Sequence, residues 1–199
     1  SAIKVGDIKG KIGEVNYFYV NDRRIAFIGL GEKDEINSDT VRLAAGGALR
    51  SAISKKADSV ALDCFCSGLA SCQAMGEGIV LGRYQFLDYK TKDKNEFEPK
   101  SVSVIGCTTN EINKGAAIGS AVCFARDLAN HPGNITTPTR LADAAKEISA
   151  LGDMSITVFD RKEFTQMGMG GLAGVAQGTD EPPKVIIQED KYGGNDNTK

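Results

Sequence analysis

The sequence predicts an α/β fold with largely parallel sheets. Three observations carry this expectation. Short apolar, β-branched runs alternate with longer segments of helical spacing. Glycine, proline or polar clusters punctuate the alternation. The run Val185-Ile-Ile187 is apolar throughout, which suits a strand covered on both faces.

The elements follow in chain order. Arg24 to Gly31 (RIAFIGLG) reads as a buried strand ending in a glycine turn. Asn37-Ser-Asp39 can cap a helix running to about Lys55, with Val41, Leu43, Ala44, Ala48, Leu49, Ala52 and Ile53 broadly at helical spacing. Ser59 to Phe65 is the next strand. Ser71 to Tyr84 is a helix interrupted by Gly76, Gly78 and Gly82, where another backbone is expected to pack closely. Residues 90–100 (KTKDKNEFEPK) mix both charge signs and read as a solvated loop. Ser101 to Cys107 is a third strand, and Thr108 or Thr109 can cap a long, alanine-rich helix to about Ala129. Within it Gly115 and Gly119 form a G-x-x-x-G, which in a soluble helix means close packing. Leu141 to Ala150 is helical, with Gly152 expected as a left-handed cap. Met154 to Phe159 alternates as a strand, Lys162 to Met167 is a short helix, and a glycine-rich stretch precedes the last strand.

Composition sets the class. The chain has 199 residues, is 41% hydrophobic and 25% charged, and carries a net charge of −2. A core can form without staples at this length. The near-even balance, with no Lys/Arg stripe, argues against nucleic acid. No apolar stretch reaches the roughly 18–20 residues that span a bilayer. The N-terminus lacks both an initiator Met and the apolar core of a secretory signal, so the chain is expected to be processed or cut. Cys64, Cys66, Cys72, Cys107 and Cys123 are odd in number and mostly sit among small or apolar residues, the pattern of reduced, buried thiols in a cytosolic protein. A zinc cluster is not expected, because no second pair or His partner completes four ligands.

Four motifs invite a chemical reading. Gly29-Leu-Gly31 follows a strand, but the third glycine of a dinucleotide loop is replaced by Asp34, which leaves a plain turn. Gly168 to Gly174 could cradle a phosphate, yet no Lys-Ser/Thr follows, and a loop crossing a sheet edge explains it better. Asp180-Glu181 sits beside Pro182-Pro183 and reads as a surface turn rather than an acid–base pair. His131, the only histidine, has Arg126, Asp127, Asn130 and Asn134 nearby, but no second histidine or adjacent nucleophile. Asn130 can end a helix, Pro132 forbids its continuation, and Gly133-Asn134 suits a turn with positive φ. Thr137 then caps a new helix with Pro138 at its first position. The stretch RDLANHPGNITTPTRLA is a corner between two helices.

Those same residues resemble a known family. Arg126-Asp-Leu-Ala-Asn130, Pro132, Asn134, Thr137-Pro138 and Leu141-Ala142 are similar to a segment of the leucyl (cytosol) aminopeptidases. Met167-Gly-Met-Gly170, Val175-Ala-Gln-Gly178 and Pro182-Pro183-Lys184 resemble a later stretch, with Thr179 in place of Ser and Lys184 in place of Arg. Gly10-Lys11, Gly29-Leu-Gly31, Arg42 with Ala44-Ala45-Gly46, and Leu81-Gly82-x-Tyr84-x-Phe86 fit the family's first domain. The resemblance covers nearly the whole chain, in order.

It implies a macro-domain-like α/β unit over residues 1–110, incomplete at its start. A linking helix at 111–130 follows, and then the opening helix–strand units of an α/β metallopeptidase domain at 131–199. It also implies a cytoplasmic hexamer acting on peptides, with two divalent metal ions, Zn or Mn. The metal-binding segments, Lys-Gly-x-x-Phe-Asp and Asn-Thr-Asp-Ala-Glu-Gly-Arg, do not occur in these 199 residues. The chain is therefore expected to be an internal fragment, inactive alone, to which no catalytic residue, cofactor-binding residue or metal ligand carries over. The alternative is a macro-like module binding a nucleotide, ADP-ribose or DNA.

Overall fold

The computed structural model describes residues 8–64, 68–92, 94, 96–152 and 154–190. They divide into two compact units, residues 1–126 and 127–199.

The first unit opens with a hairpin of β1 (Val15–Val20) and β2 (Arg23–Ile28). Asn21 and Asp22 both hold positive φ, at 48° and 60°, the two-residue turn whose twist matches antiparallel strands. Its register pairs Val20 with Arg23 and Val15 with Ile28. The expected strand at Arg24 is present, but it is not buried: residues 23–27 are exposed, and Phe27 keeps 58% of its surface in solvent.

Helix α1 (Ser38–Ser54) begins as the sequence predicts. The Asn37 side chain accepts from the backbone N–H groups of Asp39 and Thr40 at 2.9 and 3.1 Å. Strand β3 (Ser59–Asp63) pairs in parallel with β4 (Ser101–Ile105). Between them runs α2 (Leu69–Arg83), and α3 (Thr109–Asn130) follows β4. The core gathers Val41, Ala45, Ala48, Leu62, Ala74 and Met75.

Glycines let these helices touch backbone to backbone. A Cβ on Gly78 would overlap the Arg42 carbonyl of α1, and one on Gly115 would overlap the Gln73 carbonyl of α2. The G-x-x-x-G of α3 is therefore a helix-crossing surface: Gly119 faces Glu77 and Val80 of α2.

The second unit holds α4 (Pro138–Leu151), β5 (Met154–Asp160), α5 (Arg161–Gln166), α6 (Gly170–Val175) and β6 (Lys184–Asp190). Phe164 is its fully buried aromatic, with Ala142, Ala144 and Ala145 of α4 also buried. The Gln188 side-chain amide donates to the Ala145 carbonyl at 2.9 Å and the Ser149 hydroxyl at 3.0 Å, tying β6 to α4.

Among the described residues β6 pairs with β5; Val185 and Ile186 are half-buried and Ile187 is 43% exposed. Two expectations are corrected here. The sheets are not largely parallel: β1–β2 and β5–β6 are antiparallel, and β3–β4 is the parallel pair among the described residues. Gly152 does end α4, but at φ −136°, in extended backbone rather than the left-handed cap.

Candidate functional site

The corner at residues 126–142 is built by the backbone. The His131 N–H donates to the Asp127 carbonyl at 3.2 Å, carrying the last turn of α3 up to Pro132. The N–H groups of Ile135 and Thr136 both return to the Pro132 carbonyl, at 2.8 and 3.0 Å. This turn replaces the expected positive-φ one, since neither Gly133 nor Asn134 lies in the left-handed region. The Thr136 hydroxyl donates to the Leu128 carbonyl at 2.8 Å, and Thr137 accepts from the Arg140 N–H at 3.2 Å. Proline, turn and cap account for the segment's conformation, as the sequence predicts.

His131 is half-buried at the end of this corner. Among the described residues it joins no cluster of three or more groups able to hold a metal. The Arg126 guanidinium lies 5.5 Å from the Tyr84 ring centroid, a cation–π contact within the first unit.

The phosphate readings of the glycine segments fail on hydrogen bonding. A phosphate cradle needs converging N–H groups with nothing else to bind. The Gly29 and Gly31 N–H groups already donate to the carbonyls of Glu14 and Gly10, at 2.8 and 2.9 Å. The first stretches of the Gly168–Gly174 segment are spent likewise, with Gly168 donating to Thr165 and Gly170 to Gly168. That segment is not a loop across a sheet edge: it folds into α6, and no atom outside the local chain comes within 4 Å of where a Cβ on Gly170, Gly171 or Gly174 would stand. Asp180 and Glu181 are exposed in the turn before β6, as expected.

The sulfur chemistry departs from the expectation of reduced thiols. Cys72 of α2 and Cys107, just beyond β4, are joined as a disulfide with Cα atoms 5.5 Å apart. The Cys64 sulfur, just beyond β3, approaches that of Cys107 at 3.5 Å. Parallel pairing explains the meeting, because it brings the carboxyl ends of β3 and β4 side by side where α2 and α3 begin. The spacing C-x-C at 64–66 did not signal this trio. The signal was one cysteine just past each of two strands that pair. Cys66 itself lies outside the described residues.

The three sulfurs of Cys64, Cys72 and Cys107 lie within 4.8 Å of one another, the one such donor group among the described residues. They are soft ligands, and no carboxylate joins them. Three sulfurs can surround one ion, and no carboxylate stands beside them to bridge a second, so this donor set does not fit the two-metal site implied by the family resemblance.

The chain is similar to known proteins over nearly its full length. Residues 1–93 match the cytosol aminopeptidase family, N-terminal domain, and residues 123–199 match the cytosol aminopeptidase family, catalytic domain. A probable cytosol aminopeptidase of Geotalea uraniireducens (strain Rf4) is 37% identical over 184 residues, covering 87% of this chain and 37% of that protein. Another from Alkaliphilus oremlandii (strain OhILAs) is 34% identical, covering 94% of this chain and 40% of the relative. The chain thus spans about two fifths of the length of these curated relatives. The bottromycin maturation enzyme BotP in complex with Mn superposes with a TM-score of 0.81 at 26% identity, over 95% of this chain and 42% of that one. A tomato leucine aminopeptidase mutant shares the fold with a TM-score of 0.82 at 24% identity, over 93% and 39% of the two chains.

Proposed function

The chain belongs to the cytosol aminopeptidase family, and on that premise we propose that it supplies the first domain and the opening of the catalytic domain of a dinuclear-metal aminopeptidase. The observation that carries this reading is the serial match: the N-terminal domain over residues 1–93, then the catalytic domain over 123–199, in one chain. The substrates are peptides with a free N-terminus, and the product is the released N-terminal residue. The protein works in the cytoplasm as a homo-oligomer, a hexamer in the resemblance that motivates it. Manganese is one candidate metal, since the solved relative BotP is in complex with Mn; zinc is the other.

Two divalent ions, when bound, polarise the scissile carbonyl and activate water. In this reading the part of the described residues is architectural. The Thr136 hydroxyl and the Thr137 cap fix the restart of the chain after Pro132. Gln188 then ties β6 to α4 in the catalytic unit.

The testing experiment is hydrolysis of a leucine amide with Mn²⁺ or Zn²⁺. The full gene product is expected to turn over in a metal-dependent way, and the 199-residue chain alone is expected not to. Absence of turnover by the full product overturns the proposal.

A further inference from the structure

We propose that Cys64, Cys72 and Cys107, once reduced, form a three-thiolate site for one soft metal ion, of the class that includes Zn²⁺, Cd²⁺ and Cu⁺. The donors are all sulfur, and thiolates select soft ions. An ion holding three thiolates at about 2.3 Å spaces the sulfurs about 4 Å apart. Here all three already lie within 4.8 Å, and the Cys64–Cys107 edge is 3.5 Å. Only the bonded Cys72–Cys107 edge must open.

The frame around the trio is anchored. The Cys64 N–H donates to the Ile105 carbonyl at 3.0 Å, across the β3–β4 pair. Gly106, at φ +82°, leaves room beside it, since a Cβ there would stand 3.3 Å from the Cys64 Cβ. Cys72 is 5% exposed, and Cys64 and Cys107 are half-buried, packed against the core. The cluster sits at the carboxyl ends of two parallel strands and the starts of α2 and α3, where helix dipoles favour negative charge.

A thiol–disulfide relay fits the same atoms less well. Attack by Cys64 in line with the Cys72–Cys107 bond would hold Cys64 and Cys72 about 5.5 Å apart. The observed limit of 4.8 Å makes the arrangement a triangle instead.

The chemistry balances with a phosphine or a small thiol as reductant. The phosphine takes oxygen from water, the disulfide accepts two electrons, and Cys72 and Cys107 each gain a proton. A divalent ion then displaces three thiol protons and forms three metal–sulfur bonds. In a reducing compartment the thiol form is the expected one. The donors all fall between residues 64 and 107, so the site is independent of the peptidase reading.

The test uses the phosphine-reduced protein in a Cys66→Ser/Cys123→Ser background, titrated with Cd²⁺ and read by thiolate-to-metal charge-transfer absorption. One equivalent per chain is expected to saturate a sulfur band. Cys64→Ala is expected to weaken binding about tenfold or more, since loss of even an outer partner costs a metal site that much. If that variant does not fold, the parent decides: Cd²⁺ is expected to protect three thiols from alkylation. No sulfur band in the reduced parent, an unchanged affinity in Cys64→Ala, or protection of two thiols or fewer overturns the proposal.

Discussion

Glu77 is a carboxylate buried where α1 crosses α2, with a side chain 9% exposed. It accepts from Arg42 Nε at 2.6 Å and from the Gln73 amide at 3.1 Å. The Glu77 hydrogen bond raises the Arg42 guanidinium above its ordinary pKa. Arg42→Ala strands this carboxylate, so urea unfolding is expected to register a loss of about 2–3 kcal/mol. Glu14 is the contrasting, exposed case. Its carboxylate accepts from the Asn16 side chain at 2.9 Å and from the Lys9 and Lys11 N–H groups at 3.2 and 3.1 Å. These bonds, the Asn16 one foremost, hold it below the ordinary glutamate value of 4.5. A depressed carboxylate stabilises the fold above its unfolded pKa, and that contribution is lost as pH falls below 4.5 through the folded value. An NMR titration is expected to place Glu14 below 4.5, with Asn16→Ala moving it back up. Thr137→Ala removes a helix cap and is expected to cost about 1 kcal/mol. Both caps were legible in the sequence, because Asn37 and Thr137 each precede a helical run by one position. The Glu77 pair was not, since its partners lie 35 residues apart on different helices.

At the scale of elements, helices were easier to read than strands. The starts of α1 and α4 carry their own signals in Asn37 and in Thr137-Pro138. Strand β1 (VNYFYV) has the aromatic and β-branched content of a strand, and Asn21-Asp22 is a turn signal, but the pairing that joins them is tertiary information. Orientation escaped for the same reason: β5 and β6 are separated by two short helices, yet they pair antiparallel. The glycines of α2 and α3 did announce close packing. Alanine at Gly115 gains about 1 kcal/mol of helix propensity. It also drives a Cβ into the Gln73 carbonyl, and overpacking of that kind costs about 1–3 kcal/mol or more. Sterics should win, so Gly115→Ala is expected to destabilise. Gly133→Ala, where no atom outside the local chain lies within 4 Å of the added Cβ, is expected to change stability by no more than about 0.5 kcal/mol. Thermal unfolding of the two variants side by side separates the readings.

For the molecule as a whole, recognition came from order rather than from any single motif. Each glycine or proline signature explains itself locally as a turn, a cap or a crossing. Their sequence along the chain is what the two family domains share with it. The cysteine trio shows the converse: three residues spread over positions 64 to 107 become one cluster only when parallel strands align their ends. Among the described residues no helix is long and apolar enough to cross a membrane. We propose that these residues frame part of a dinuclear-metal aminopeptidase. Release of leucine from a leucine amide, with Mn²⁺ or Zn²⁺ and with a chelator, measures it most directly. Chelator-sensitive turnover is expected of the full gene product, and none of the 199-residue chain. Robust metal-dependent turnover by the 199 residues alone, or none by the full product, would contradict it.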